Sequence, residues 1–72
     1  MKIVKPPHAG KRLRYMREKH NLSVFQLARI LGVSAAELHN FENEKKMLRA
    51  ETIAVCAHIF DVPLKWFYEG VS

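Results

Sequence analysis

Cationic side chains are the groups in this chain with the clearest chemical use, and they are unevenly distributed. Residues 1–36 contain eight lysines and arginines and one acid, whereas residues 37–72 contain four basic residues and six acids. The net charge of the whole chain is +5 at pH 7. A concentrated basic surface favours a polyanionic partner such as nucleic acid. The same charges are also compatible with a solvated face that only aids solubility.

Metal binding and catalysis find little support in the sequence. The single cysteine, Cys56, excludes an internal disulfide, and the histidines are too scattered to form a ligand cluster. No nucleophile–base arrangement, carboxylate pair or phosphate-binding glycine loop is present, and a chain of 72 residues is too small to enclose a typical substrate pocket. We therefore expect no metal, no cofactor and no enzymatic activity. The four histidines are His8, His20, His39 and His58.

Length and hydrophobicity indicate one small folded domain that does not cross a membrane. Hydrophobic residues make up 49% of the chain, which argues against disorder. A chain of this length buries only about 60% of its unfolded surface, so a stable core must be compact and mostly helical. No apolar run approaches the roughly 18 residues of a membrane span, and no secretory signal is visible at the N-terminus. A cytoplasmic location is therefore expected.

Two helix-start signatures lie eleven residues apart and predict how the polar side chains are positioned. Ser23 is followed three residues later by Gln26, and Ser34 is followed three residues later by Glu37, so each pair fits a capping box. Gly32 lies between them, where the first helix must stop and the chain must turn. A short helix, a tight glycine turn and a second short helix form a helix-turn-helix unit, predicted over residues 23–43.

The remaining chain reads as helix and loop, with no segment that alternates as a strand does. Pro6 and Pro7 oppose helix, so residues 1–7 are predicted to be a flexible basic arm ahead of a domain over residues 8–70. Asn21 suits the end of the first helix because asparagine tolerates the left-handed conformation. Helices are predicted at residues 8–20, 24–31, 35–43 and 50–60, with a polar loop at 43–49 and a short fifth helix from Pro63 through Tyr68. Apolar residues at helical spacing predict the core: Leu13, Met16, Leu27, Ala28, Leu31, Leu38, Phe41, Ile53, Cys56, Ala57 and Phe60.

Residues 10–70 resemble the Xre/phage-repressor family of helix-turn-helix regulators. The resemblance implies an all-α, compact five-helix domain of the lambda-repressor-like fold. It also implies a double-stranded DNA partner, a homodimer and repression of transcription. The residues that carry the resemblance are Gly10-Lys11-Arg12-Leu13-Arg14, Leu22-Ser23, Leu27-Ala28, Gly32-Val33-Ser34, Leu38, Phe41-Glu42, Phe60-Asp61-Val62-Pro63 and Trp66-Phe67-Tyr68-Glu69-Gly70.

The resemblance assigns roles to individual positions, with the third helix in the DNA major groove. It implies an internal salt bridge between Arg17 and Glu42. Base-contacting positions would be Ala35, Ala36, Glu37, His39 and Asn40. Phosphate or minor-groove contacts would come from Ser34, Asn43, Lys45, Lys46 and Arg49, and the basic N-terminal region adds Lys2, Lys5 and Lys11.

Three departures from the family pattern bear on DNA binding. Val24 replaces a common phosphate-binding glutamine, and Glu44 replaces a loop glycine, where it would repel phosphates unless neighbouring lysines compensate. The third helix is also poor in hydrogen-bonding groups: its alanines offer methyl contacts, and Asn40 suits adenine. Glu37 either accepts a hydrogen bond from cytosine or is used up in its capping box. Specificity would then depend on DNA shape and the basic arm, or binding would be weak.

The C-terminal aromatic cluster leaves two interpretations of function open. At helical spacing only two of three consecutive aromatic residues face a core comfortably, so an exposed one would contribute to a dimer surface. The first hypothesis is a sequence-specific, homodimeric DNA-binding repressor. The alternative is a helical protein-interaction or antitoxin-like accessory module that binds a protein partner through this end. The candidate dimer residues are Leu64, Trp66, Phe67 and Tyr68.

Overall fold

The computed structural model describes residues 9–67, and in that range the chain is helical with no strand. The predicted all-α class is therefore confirmed for the described residues. The predicted helix ends lie within one residue of the observed ends wherever both fall in this range. The elements are α1 (Ala9–Lys19), α2 (Val24–Leu31), α3 (Ala35–Glu42), α4 (Ala50–Ile59) and a 3₁₀ helix (Leu64–Phe67).

The core is a single apolar cluster to which every helix contributes. Leu13, Leu27 and Leu38 are each fully buried, one from each of the first three helices. Truncation of a buried leucine to alanine typically costs about 2–5 kcal/mol, so each of these three positions matters to the stability of a domain this small. Cys56 is also fully buried on α4, as the apolar periodicity predicted. The other buried members are Ala9, Met16, Ala28, Phe41, Ile53, Ala57, Phe60 and Phe67.

All four α-helices end in the same way, with one residue in the left-handed conformation. In each case the following N–H bonds to a carbonyl five residues back, for example Val33 to Ala28. This pairing satisfies carbonyls that the helix end leaves free. Only one of the four residues is glycine, so three side-chain-bearing residues adopt a conformation that costs them free energy. The four residues are Asn21 (φ 58°), Gly32 (φ 72°), Glu44 (φ 62°) and Asp61 (φ 56°).

The prediction of five helices is wrong for the described residues, which contain four α-helices and a single short 3₁₀ turn. Pro63 starts the turn, and the Trp66 N–H donates to the Pro63 carbonyl three residues back. This bond spans three residues, which is the 3₁₀ pattern and not the i→i+4 pattern of an α-helix. Phe67 is fully buried at the end of the turn, so core packing rather than helix propensity fixes this segment. The predicted extension to Tyr68 lies outside the described residues.

Helix α3 packs against both α1 and α2, and the 3₁₀ helix packs against α4 and α1. Leu38, Phe41 and Glu42 form the buried side of α3. The opposite side of α3 is therefore the part of the helix-turn-helix unit that is left to meet a partner. None of the described helices is both long enough and apolar enough to span a membrane.

Candidate nucleic-acid interface

The start of α3 is fixed by the capping box that its sequence predicted. Ser34 has extended backbone angles (φ −76°, ψ 155°), and its Oγ accepts a hydrogen bond from the Glu37 N–H at 3.0 Å. In return, the Glu37 Oε1 accepts a hydrogen bond from the Ser34 N–H at 3.1 Å. Gly32, left-handed with φ 72°, makes the turn before it. These local contacts set the direction in which α3 leaves α2.

The five predicted base-contacting positions do not share one environment. Ala36 and His39 are exposed, whereas Ala35 and Asn40 are half-buried at the edges of the outward face. Ala35 also packs against the core, which restricts its methyl group. Asn40 has no side-chain hydrogen bond among the described residues, so its amide is available to a partner. Glu37 is different, because both of its carboxylate oxygens already have partners.

Glu37 joins the start of α3 to the loop that follows the helix. Its Oε1 is bound to the Ser34 N–H, and its Oε2 lies 3.6 Å from the Lys46 Nζ. The hydrogen bond from the Ser34 backbone, followed by the Lys46 charge, lowers the pKa of Glu37 below its ordinary value. Of the two sequence-based interpretations of Glu37, the geometry favours the cap over a free base reader.

Asn43 lies just beyond the last residue of α3 and folds back onto the helix. Its Nδ2 donates to the His39 backbone oxygen at 2.8 Å, and the same oxygen accepts the Asn43 backbone N–H at 3.1 Å. The same amide lies 3.4 and 3.5 Å from the two ring nitrogens of His39. His39 and Asn43 therefore form one exposed polar pair, so a partner would meet them together.

Arg17 and Glu42, which the resemblance paired, form a bidentate ion pair between α1 and α3. Arg17 Nε and Nη2 donate to Glu42 Oε2 and Oε1 at 2.8 and 2.9 Å. Arg17 Nη1 donates to the Leu22 carbonyl at 2.8 Å. The Glu42 side chain is 4% exposed, and its hydrogen bond raises the pKa of Arg17. The pair thus holds the end of α3 to α1 and to the α1–α2 loop.

Glu44, expected from the sequence to repel phosphates, lies against the start of α1. It takes the left-handed conformation (φ 62°), and its Oε2 accepts a hydrogen bond from the Lys11 N–H at 3.1 Å. This N–H is one of the free donors in the first turn of α1, where a carboxylate is favoured. The charge of Glu44 is therefore directed at α1. Nothing local in the sequence signals this contact, which joins residues 33 positions apart.

The predicted phosphate-binding cations differ in whether a carboxylate of the same chain is paired with them. Lys11 and Lys45 are exposed and have no acidic partner among the described residues. Lys46 is paired with Glu37, and Arg49 Nε lies 3.9 Å from Glu51 Oε1 in a highly exposed pair. Ser34 is exposed at the start of α3. Lys2 and Lys5 lie outside the described residues.

The candidate dimer surface needs a correction, because Phe67 is fully buried in the core and cannot contribute to it. Leu64 is 44% exposed, and Trp66 is half-buried. The Arg12 guanidinium lies 5.4 Å from the Trp66 ring centroid and donates to the Trp66 carbonyl. Trp66 is thus partly covered by its own chain. Tyr68 lies outside the described residues.

Sequence reasoning missed the largest exposed apolar side chains. Phe25 is 72% exposed at the start of α2, and Tyr15 is 56% exposed on α1. Tyr15 lies 6.5 Å, centroid to centroid, from the ring of Trp66. The signal for Phe25 was present in its position, since it precedes the buried Leu27 by two residues and so falls away from the core. Within residues 9–67, no three His, Cys, Asp or Glu side chains are grouped so that they could hold a metal ion.

Comparison with known proteins places the chain in a defined group. A family model described as a helix-turn-helix domain matches residues 10–72. Two relatives carry the name "Putative HTH-type transcriptional regulatory protein", from Pyrococcus abyssi (42% identical) and Thermococcus kodakarensis (40% identical). Each match covers 55 residues, or 76% of this chain.

The relatives are much longer than the region they share with this chain. The match covers 17% of the length of both the Pyrococcus abyssi and the Thermococcus kodakarensis proteins. A relative from Pyrococcus horikoshii is 36% identical over 76% of this chain and 18% of its own length. No solved structure matches the chain significantly.

Proposed function

Because the chain belongs to the family of helix-turn-helix domains, we propose that it binds double-stranded DNA sequence-specifically and regulates transcription. Helix α3 enters the major groove with its outward side facing the base edges. One observation carries the proposal: α3 is clamped on its inner side by α1 and α2 and begins at a capping box, while Ala36, His39 and Asn40 stay available outside.

Few side chains on α3 are available to contact the DNA bases. Asn40 is the best candidate reader, because a bidentate asparagine–adenine contact discriminates by about 1–3 kcal/mol. Ala36 and Ala35 offer methyl groups to thymine, and His39 offers a ring nitrogen. The small number of hydrogen-bonding readers means that DNA shape and deformability contribute much of the specificity.

Affinity comes mainly from phosphate contacts, which fix the position of α3 on the duplex. Lys11 and Lys45 make these contacts directly, since they are exposed and free of acidic partners among the described residues. Lys46 and Arg49 join them by exchanging their carboxylate partners for phosphates. The exposed N-terminus of α3 at Ser34 adds a favourable dipole.

We further propose that the protein acts as a homodimer and a repressor, as the resemblance to phage repressors implies. Two-fold symmetric proteins of this class bind two half-sites about one helical turn apart. Leu64, at the exposed start of the 3₁₀ helix, is the described residue best suited to such an interface.

Selection from a randomised duplex pool at two salt concentrations tests the proposed function. We expect enrichment of a palindrome or of paired half-sites, with affinity falling as salt rises by a slope of about −0.9 per phosphate contacted. Asn40→Ala should relax base preference at one position, whereas Lys45→Ala should weaken all duplexes alike. Equal losses on selected and random DNA in both variants would remove Asn40 from the reading set.

A protein-interaction module is the second candidate, favoured by the sparse outward face of α3 and the 72% exposed Phe25. The C-terminal aromatic cluster is a weaker binding surface for a protein partner than the sequence predicted, because Phe67 is buried and Trp66 is partly covered by Arg12. If no duplex is retained at either salt concentration, this alternative replaces the first.

A further inference from the structure

The charge of Glu37 is not required to close the capping box that starts α3. Helix α2 begins with the same capping box, in which Gln26 takes the place that Glu37 has in α3. Gln26 Oε1 accepts from the Ser23 N–H at 2.7 Å, and Ser23 Oγ accepts from the Gln26 N–H at 3.0 Å. A neutral amide therefore closes the box within this same chain, so the negative charge of Glu37 is left to act on other groups as well.

The partner of that charge is Lys46, a cation in the loop that would face DNA phosphates. The Lys46 Nζ lies 3.6 Å from Glu37 Oε2, and the two side chains are 54% and 43% exposed. Both groups are open to solvent, so the pair can separate at little cost when a stronger partner arrives. The capping bond at Oε1 holds the carboxylate in place while Lys46, on its long stem, is able to leave.

The position of Glu37 makes its charge matter on DNA. Asn40, the candidate base reader, lies three residues further along α3, so the two side chains are neighbours on the helix surface. If Lys46 leaves for a phosphate, an uncompensated carboxylate remains beside the reading positions. That carboxylate repels the DNA backbone unless the contacts made by a correctly seated α3 offset the repulsion.

We propose that Glu37 is a specificity-determining residue that acts by restraining Lys46. On unmatched duplex, α3 is not fully seated, and Lys46 gains a phosphate only by exposing the Glu37 charge to the backbone. On a matched site the base contacts outweigh this repulsion. Glu37 thus weakens non-specific binding more than specific binding, an inference that rests on the proposed function.

The test is Glu37→Gln, which keeps the cap and removes the charge. We expect a folded protein with at most a slightly lower melting temperature, because the lost carboxylate favours the helix N-terminus. Binding to random duplex should be about two- to five-fold tighter, the range expected for one exposed charge interaction. The salt slope on random duplex should steepen by about 0.9, because Lys46 now makes a full phosphate contact. The duplex selected by the native protein should gain less, so the ratio of specific to random affinity falls.

Glu18→Gln is the matched control, because it removes an equal charge from another exposed pair. Glu18 lies on α1, 3.1 Å from Arg14 Nε, with side chains 56% and 54% exposed. An equal gain in random-duplex binding from Glu18→Gln would mean that net charge alone is responsible, and would overturn the inference. A loss on the selected duplex without a gain on random duplex would make Glu37 a direct base reader instead.

Lys46→Gln gives a second, independent measurement. When Glu37 is present, Lys46→Gln should lower the affinity for random duplex only slightly. In the Glu37→Gln background the same substitution should lower it more, because only a lysine released from Glu37 contacts phosphate fully. Equal losses in both backgrounds would show that Glu37 does not restrain Lys46. If the native protein itself binds no duplex, the proposed function fails together with this inference. Binding by the native protein with no response to Glu37→Gln refutes this inference alone.

Discussion

Replacement of Gly10 by alanine should destabilise the domain, although alanine is the better helix former. Gly10 lies in the first turn of α1, where α1 meets the end of α3. A Cβ at this position would lie 2.0 Å from the backbone oxygen of Phe41 and 2.8 Å from Glu44 Oε2. The first atom belongs to the backbone, so α1 must move away from α3 by more than about 1 Å to restore ordinary contact.

The size of the effect follows from opposing contributions. Alanine gains at most about 1 kcal/mol over glycine in helix propensity. Forcing an extra carbon into a packed contact costs about 1–3 kcal/mol, and loss of a charge-assisted hydrogen bond such as that from the Lys11 N–H to Glu44 costs about 1.5 kcal/mol. The net destabilisation is about 2 kcal/mol, from a total stability of about 4–11 kcal/mol for a domain of this length.

Thermal and urea unfolding followed by circular dichroism measure this loss, which should lower the melting temperature by about 10 °C. Gly32→Ala is the comparison variant, because its Cβ would meet no atom within 4 Å and only the left-handed backbone (φ +72°) opposes it. Adding Glu44→Ala to Gly10→Ala should recover little, since the Phe41 oxygen remains in place. If Gly10→Ala is neutral or stabilising, the close approach of α1 to α3 is wrong.

Three further predictions concern the core and the helix ends. Arg17→Ala should destabilise by about 3–5 kcal/mol, because it leaves the buried charge of Glu42 unpaired, and urea unfolding should show the double variant Arg17→Met/Glu42→Leu to be far more stable than the single one. An Arg17→Ala variant of native stability would contradict this. Asp61→Gly should raise the melting temperature by several degrees, because glycine adopts the left-handed conformation without the strain of about 1 kcal/mol that a side chain adds. A lower melting temperature would argue against strain at this position. Burial raises the pKa of Cys56 to about 12, so a thiol reagent at pH 8 should label native protein only at the rate of its opening and label urea-unfolded protein at once, whereas fast labelling of the native state would place the thiol at the surface.

Local signals in the sequence were enough to locate the helices. The serine caps of α2 and α3 are chemical features of residues three apart, and Gly32 and Asn21 mark helix ends by their tolerance of positive φ. Asp61 also ends a helix in the left-handed conformation, yet aspartate tolerates it less commonly, so composition gave little warning. Hydrogen-bond spacing decided the one error of element type, because the Trp66 N–H bonds three residues back to Pro63 and helical periodicity in the sequence does not separate this pattern from an α-helix.

Contacts between distant residues decided the parts of the candidate interface that the sequence left open or misassigned. The orientation of Glu44 depends on an N–H donor that another helix presents. The burial of Phe67 depends on how α1 and α4 pack around it, which spacing within one short segment cannot specify. Glu37 had two chemically sound uses in the sequence, and only the arrangement of Ser34 and Lys46 around it distinguishes them.

The capping of α3 has a consequence for how such a domain changes over evolution. The groups that hold the helix are Ser34 and Glu37 at its start and the left-handed residue at its end, whereas the exposed side chains of Ala36 and His39 support no buried contact. Substitutions at these two positions should therefore be close to neutral for folding. A lineage can accumulate them without losing the fold, so the surface that the proposed function presents to DNA can change through intermediates that all still fold.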